Sequence, residues 1–177
     1  MEIKSSIKIK PEDEISWIEV IPRTILSIDP GWKLGWAVLH PPIELPCVFH
    51  SILLESGVMD FQKDLGEAGR YKSLWSHLWN LKLRHTFGIM LIEPAFGRFR
   101  STRNGEICGI IKMSAYESDI PVKEMNVLSV RSKLKIKGKQ GALAYARQWT
   151  GNEHLSQHEA DAICQGLVYL KEKENEL

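Results

Sequence analysis

Two periodicities of apolar residues alternate along this chain, and the switches between them mark its elements. The run Thr24 to Ile28 is β-branched and apolar, stops at Asp29-Pro30-Gly31 and resumes at Leu34 to Leu39. Two such runs around a Pro-Gly turn predict a β-hairpin. A loop with Pro41, Pro42 and Pro46 follows, and Val48 to Leu54 predicts a third strand extending the antiparallel set. Between Leu65 and His85 the period changes, as Leu74, Trp75, Leu78 and Leu81 recur at helical spacing. Ile89 to Ile92 is a continuous apolar run closed by Glu93-Pro94, as in a buried central strand. Lying beside the first strand and following a helix, it is expected to run parallel to it. Ser101 or Thr102 can cap a helix to about Tyr116, striped by Ile107, Ile110 and Ile111. Gly105 and Gly109, four apart on it, either admit a partner's backbone or pack tightly on the domain's own sheet. Pro121 to Met125 gives a short fifth strand and Ala142 to Trp149 a helix. The last helix opens at Ser156, where Ser156 and Glu159 form a capping box ahead of the stripe Ala160, Ile163, Cys164 and Leu167. These elements predict an α/β domain: a mixed five-stranded sheet, first three strands antiparallel, order 3-2-1-4-5, flanked by helices.

Length supports one domain, since 177 residues fall within the ~100–200 typical of a single unit. Residues 1–23 read as an N-terminal extension containing the apolar stretch Ile15 to Val20, residues 24–171 as the domain and 172–177 as a charged tail. No apolar run approaches the ~18 residues of a membrane span. The first ten residues carry four charges and lack the apolar core of a secretion signal. Cys47, Cys108 and Cys164 form an odd set with no close pair, which argues against a disulfide framework or a zinc knuckle. The expected setting is intracellular, in the cytoplasm. The net charge of +1 conceals an uneven distribution. Residues 98–147 hold eleven Lys and Arg against four Asp and Glu, whereas residues 148–177 sum to −4. A basic middle of this kind is either the footprint of a polyanion partner such as nucleic acid or a solvated helix face.

Three acids stand out by position. Asp29 ends the first strand, Glu93 ends the fourth, and Asp161 lies in the opening turns of the last helix, at the border of its apolar stripe. Parallel neighbouring strands bring Asp29 and Glu93 to the same sheet edge, where open α/β sheets place their sites. Clustered carboxylates there suit a divalent cation, because hard cations take oxygen ligands; separate solvated acids are the alternative. His158 and Asp161 are three apart and share one side of a helix, the spacing of a metal or proton-transfer pair. Asp60, Asp64, Glu67, Glu117 and Asp119 fall in turns, helix ends or solvent-facing positions, and the remaining histidines share no element.

Ile25-Leu26-Ser27-Ile28-Asp29-Pro30-Gly31 with Gly35-Trp36-Ala37-Val38 resembles the opening strand of RuvC-type Holliday junction resolvases, of the ribonuclease H-like superfamily. Leu91-Ile92-Glu93-Pro94-Ala95-Phe96 is similar to their second acidic strand end, and His158-Glu159-Ala160-Asp161-Ala162 to the start of their last helix. The resemblance covers residues 24–170 in order and spacing. It implies Asp29, Glu93 and Asp161 as catalytic metal ligands for two Mg²⁺ ions, with Mn²⁺ as a substitute. At position 158 many relatives carry Asp and some His, so His158 is implied as a metal ligand or a proton carrier. It further implies Arg131 near the scissile phosphate, with Lys137 or Lys139 as a second cation and Lys133 and Lys135 in the same basic run. Phe96 matches an aromatic that stacks on bases at the crossover, and Arg98, Phe99, Arg100 and Arg103 make the same loop suited to DNA. The implied activity is paired nicking of a four-way junction, leaving 5′-phosphate and 3′-hydroxyl ends, by a homodimer built through helix 102–117. A ribonuclease H-like enzyme acting on RNA, such as a ribosomal RNA precursor, and a non-catalytic junction-binding protein are the alternative readings.

Overall fold

A computed structural model describes residues 24–41, 52–61, 65–94 and 102–174. The chain runs β1 (Thr24–Asp29), β2 (Lys33–His40), β3 (Ile52–Asp60), α1 (Gly66–Arg84), β4 (Phe87–Ile92), α2 (Thr102–Tyr116), β5 (Val122–Glu124), α3 (Val127–Lys133), α4 (Gly138–Thr150) and α5 (Gln157–Glu174). The strands form one sheet in the order β3-β2-β1-β4-β5. β1–β2 and β2–β3 are antiparallel, while β1–β4 and β4–β5 are parallel, as the sequence pattern predicts.

Alternation along the central strands sends side chains into two cores. Leu26 and Ile28 of β1, Leu34, Trp36 and Val38 of β2, and Met90 and Ile92 of β4 pack against Leu74, Leu78 and Leu81 of α1 and Ile107 and Ile111 of α2. Ile25, Ala37, Leu39 and Leu91 point the other way, onto Ala160, Ile163, Cys164 and Leu167 of α5 and Ala142 and Ala146 of α4. Burial on both faces is why β1 and β4 read as nearly continuous apolar runs. No helix among the described residues is long and apolar enough to cross a membrane.

Three elements depart from the sequence expectation. β3 extends to Asp60, well beyond Leu54, while residues 48–51 lie outside the described residues. Val38 pairs with Glu55 but Leu39 pairs with Leu53, so Leu54 is an unpaired bulge residue, and its bulge interrupts the alternation that would have marked the strand's length. The basic run is partly helical: α3 starts at Asn126, whose side chain accepts a hydrogen bond from Leu128 N at 2.8 Å, and it carries both Arg131 and Lys133. α5 continues to Glu174, so Glu172 is helical and forms ion pairs with Lys123 and Lys133 instead of beginning a free tail.

On α2 the glycines do not make the close contact with the domain's own sheet that one reading expects. A Cβ added at Gly105 or Gly109 would meet nothing within 4 Å, so neither glycine packs on the domain's own sheet. Their face of the helix continues into Met113 and Tyr116, which are 58% and 83% exposed.

Candidate active site

The register of β1 against β4 sets the first two acids side by side. Ile28 pairs with Ile92, and the next residue on each strand is Asp29 and Glu93. Glu93 N donates to Ile28 O at 3.4 Å, holding the two strand ends together. The third acid arrives on α5. Ser156 N donates to Glu159 Oε2 at 3.0 Å and Glu159 N donates to Ser156 Oγ at 3.2 Å, which is the capping box expected from the sequence. Glu159 also accepts from Ser56 Oγ on β3 at 3.1 Å, pinning the helix start to the sheet.

Gly35 determines how close that helix start comes. It lies opposite Asp29 in the β1–β2 register, and a Cβ at this position would sit 2.1 Å from the carbonyl oxygen of His158. Only a residue without a side chain lets the first turn of α5 rest on the strand here. The result is a direct contact: His158 Nδ1 lies 2.7 Å from Asp29 Oδ2. His158 is held above the ordinary histidine range, chiefly by its hydrogen bond to Asp29, against the opposing effect of burial. Burial in turn lifts the Asp29 carboxyl, with His158 and Lys139 pulling down and the charge of Asp161 pushing up. The two groups are therefore coupled, each shifting the other's hold on a proton in a partly desolvated site.

Asp161 is 11% exposed and has both oxygens engaged: Arg131 Nη2 donates to Oδ1 at 3.1 Å and Gln157 Nε2 to Oδ2 at 3.2 Å. Arg131 is itself only 16% exposed, so α3 delivers a guanidinium into the site. Its Nε is buried without a hydrogen-bond acceptor among the described residues. Asp29, Glu93, His158 and Asp161 line one cleft of about 330 Å³ together with Arg131, Lys139, Asn104 and Cys108.

The other sequence candidates separate. Lys139 reaches the cleft, while Lys137 and Lys135 are exposed residues that do not line it. Lys133 turns outward to Glu172. Phe96, Arg98, Phe99 and Arg100 lie outside the described residues, as does the side chain of Arg103. Sequence reasoning missed Gln157 and Asn104, whose only signal is adjacency to a helix start near an acid.

Whether the donors suit a divalent cation can be tested on their chemistry. Three carboxylates, which are hard oxygen donors, and one imidazole, a borderline donor, face one polar cleft, and a desolvated carboxyl such as Asp29 is a group that a cation would relieve. Among the described residues no three His, Cys, Asp or Glu side chains converge closely enough to hold an ion as placed. Arg131 is paired with Asp161 and His158 with Asp29. A divalent ion held by these carboxylates would compete with both partners.

No sequence-family model matches the chain, and no curated protein matches it in sequence. Solved structures do. RuvC of Thermus thermophilus in complex with a Holliday junction substrate superposes with a TM-score of 0.72 at 18% identity, over 85% of this chain and 96% of that one. A second Thermus thermophilus RuvC structure gives 0.69 at 18% identity, covering 86% and 96%. Ydc2, the yeast mitochondrial Holliday junction resolvase, gives 0.60 at 12% identity, covering 87% and 82%. The chain has the RuvC fold. This agrees with the fold that the resemblance of the three acidic motifs implies.

Proposed function

We propose that this chain is a structure-specific endonuclease that resolves four-way DNA junctions by paired, metal-dependent nicks leaving 5′-phosphate and 3′-hydroxyl ends. The observation that carries the reading is the convergence, on a RuvC fold, of Asp29, Glu93 and Asp161 from three distant segments into one cleft with Arg131 and Lys139. Asp29, Glu93 and Asp161 would hold Mg²⁺, for which Mn²⁺ would substitute, with His158 as a fourth donor or as the group that keeps a proton next to Asp29. When bound, the metal supplies an activated water and stabilises charge on the leaving 3′ oxygen. Arg131 is the guanidinium that lines the cleft among the described residues and would face the scissile phosphate there. Lys139 adds a second positive charge at the cleft.

Incubation with a synthetic four-way junction, a linear duplex, a flap and a structured RNA in Mg²⁺ tests this. Cleavage of the junction in two like strands, stopped by a chelator, is expected. Cleavage of the RNA alone would favour the RNA nuclease, and binding without cleavage would favour an architectural role. The two lysines left open by the sequence give a sharper result. Lys139→Ala should slow single-turnover cleavage roughly 10- to 100-fold by removing charge stabilisation at the phosphate, while Lys137→Ala should change it far less.

Paired nicks require two cleavage centres related by a two-fold axis. We assign the dimer contact to the open Gly105–Gly109–Met113–Tyr116 face of α2. Gly109→Arg introduces a side chain into empty space and replaces a poor helix former, so the monomer should stay folded. Sedimentation should show the variant shifting from dimer to monomer, and its junction products should show single nicks in place of paired ones.

A further inference from the structure

We propose that Trp32, backed by Arg70, is a stacking platform for an unpaired nucleobase beside the cleaved phosphate. The inference rests on the junction-nuclease reading above and adds to it a base-binding position outside the acidic cleft.

Trp32 follows Asp29-Pro30-Gly31, three residues that line the cleft, and so stands at its rim. Its backbone is fixed, because Trp32 O accepts a hydrogen bond from Phe61 N at 3.2 Å. The indole remains 42% exposed, with the Arg70 guanidinium 4.8 Å from the ring centroid. An exposed tryptophan held by a cation presents a flat, polarised surface without the cost of ordering it on binding. Next to the ring is a small cavity lined by Phe61, Tyr71, Ile107 and Asn104. At about 20 Å³ it is too small to swallow a base, so a base would lie across it, on the indole. Asn104 lines both this cavity and the acidic cleft, so the two lie side by side.

Glu67 and Arg70 both line the cavity, so their charges offset each other, and the Tyr71 hydroxyl lies within hydrogen-bond distance of Glu67 and Glu106. A neutral aromatic base suits such a rim. Stacking of this kind is indifferent to base identity, since every base has a π face. The platform would therefore hold a nucleotide next to the cut without dictating its sequence.

The test uses the full-length protein and a synthetic junction carrying 5-iodouracil at successive positions around the crossover. Irradiation of the complex in Ca²⁺, followed by peptide mapping, should give an adduct on Trp32 at a base adjoining the cut site. Trp32→Ala should lower single-turnover cleavage by roughly tenfold or more, and Trp32→Phe should recover most of it, as expected for a stacked base. Trp32→Ala gives up the partly covered ring and its Arg70 contact and should lower the melting temperature by a few degrees, so rates are compared well below both melting points, where Trp32→Phe separates stacking from stability. A parent protein that neither binds nor cuts the junction would overturn both readings. A parent that cuts it, yields no Trp32 adduct and is matched in rate by Trp32→Ala would overturn the platform and leave the nuclease reading standing.

Discussion

Asp29→Asn should reduce single-turnover cleavage of a four-way junction on the order of a thousand-fold while leaving junction binding intact. That factor is about 4 kcal/mol of barrier, the scale expected when a divalent ion loses a carboxylate that holds it against the reacting phosphate. Stability will not account for the loss. Burial lifts the folded pKa of Asp29 above its unfolded value, so its ionised form is a cost to the folded state at neutral pH. Asparagine has nearly the same shape, carries no charge and can still accept from His158 Nδ1. The melting temperature of the variant without divalent ions should therefore equal or exceed that of the parent. Added Mg²⁺ should raise the melting temperature of the parent and fail to do so for the variant. If Asp29→Asn cleaved at the parental rate, the acidic cleft would not be the catalytic centre.

The parts of this architecture that are legible in the sequence are those decided by local chemistry. Asp29-Pro30-Gly31 turns the chain whatever lies around it, and Ser156 with Glu159 satisfies its own helix start, so both could be read from neighbours a few residues apart. The placement of Asp29 next to Glu93 followed from one inference, that β4 pairs parallel to β1. Features that depend on tertiary contact were hidden. The Leu54 bulge is fixed by pairing with β2, and the outward face of Gly105 and Gly109 by which side of α2 the isoleucines bury. α3 was hidden because its seven residues are too short to show a helical stripe. Least legible was the occupation of the acids themselves. Arg131 reads as a DNA contact, yet it lies 3.1 Å from Asp161, thirty positions away in the chain. A cluster of carboxylates gathered for a cation is repulsive without one, and the fold offsets that repulsion with its own guanidinium and imidazole.

Gly35→Ala should be more damaging than a methyl group added at any other glycine whose surroundings are described. The new Cβ would lie 2.1 Å from His158 O and 2.2 Å from its carbonyl carbon, both backbone atoms that cannot rotate aside. Relief requires α5 to lift off β2 or the strand to bend away. α5 is anchored along its length by Ala160, Ile163, Cys164 and Leu167 in the core, and at its start by Ser56. Overpacking of a rigid contact costs up to about 3 kcal/mol and occasionally more. In a domain of this size that corresponds to a fall in melting temperature of roughly 6–12 °C. Gly105→Ala supplies the opposite sign from the same chemical change, since its Cβ enters open space on a helix and should stabilise by about 0.5–1 kcal/mol. The functional loss in Gly35→Ala should exceed what unfolding explains. A shift of α5 by even a fraction of an ångström moves His158 off Asp29 and Asp161 away from the strand ends together. Cleavage measured well below the lowered melting point should therefore fall by at least about a hundredfold, because misplacing a reacting group by about 1 Å has that effect. Parental cleavage rates in a folded Gly35→Ala protein would show that the seat of α5 on β2 does not govern the site.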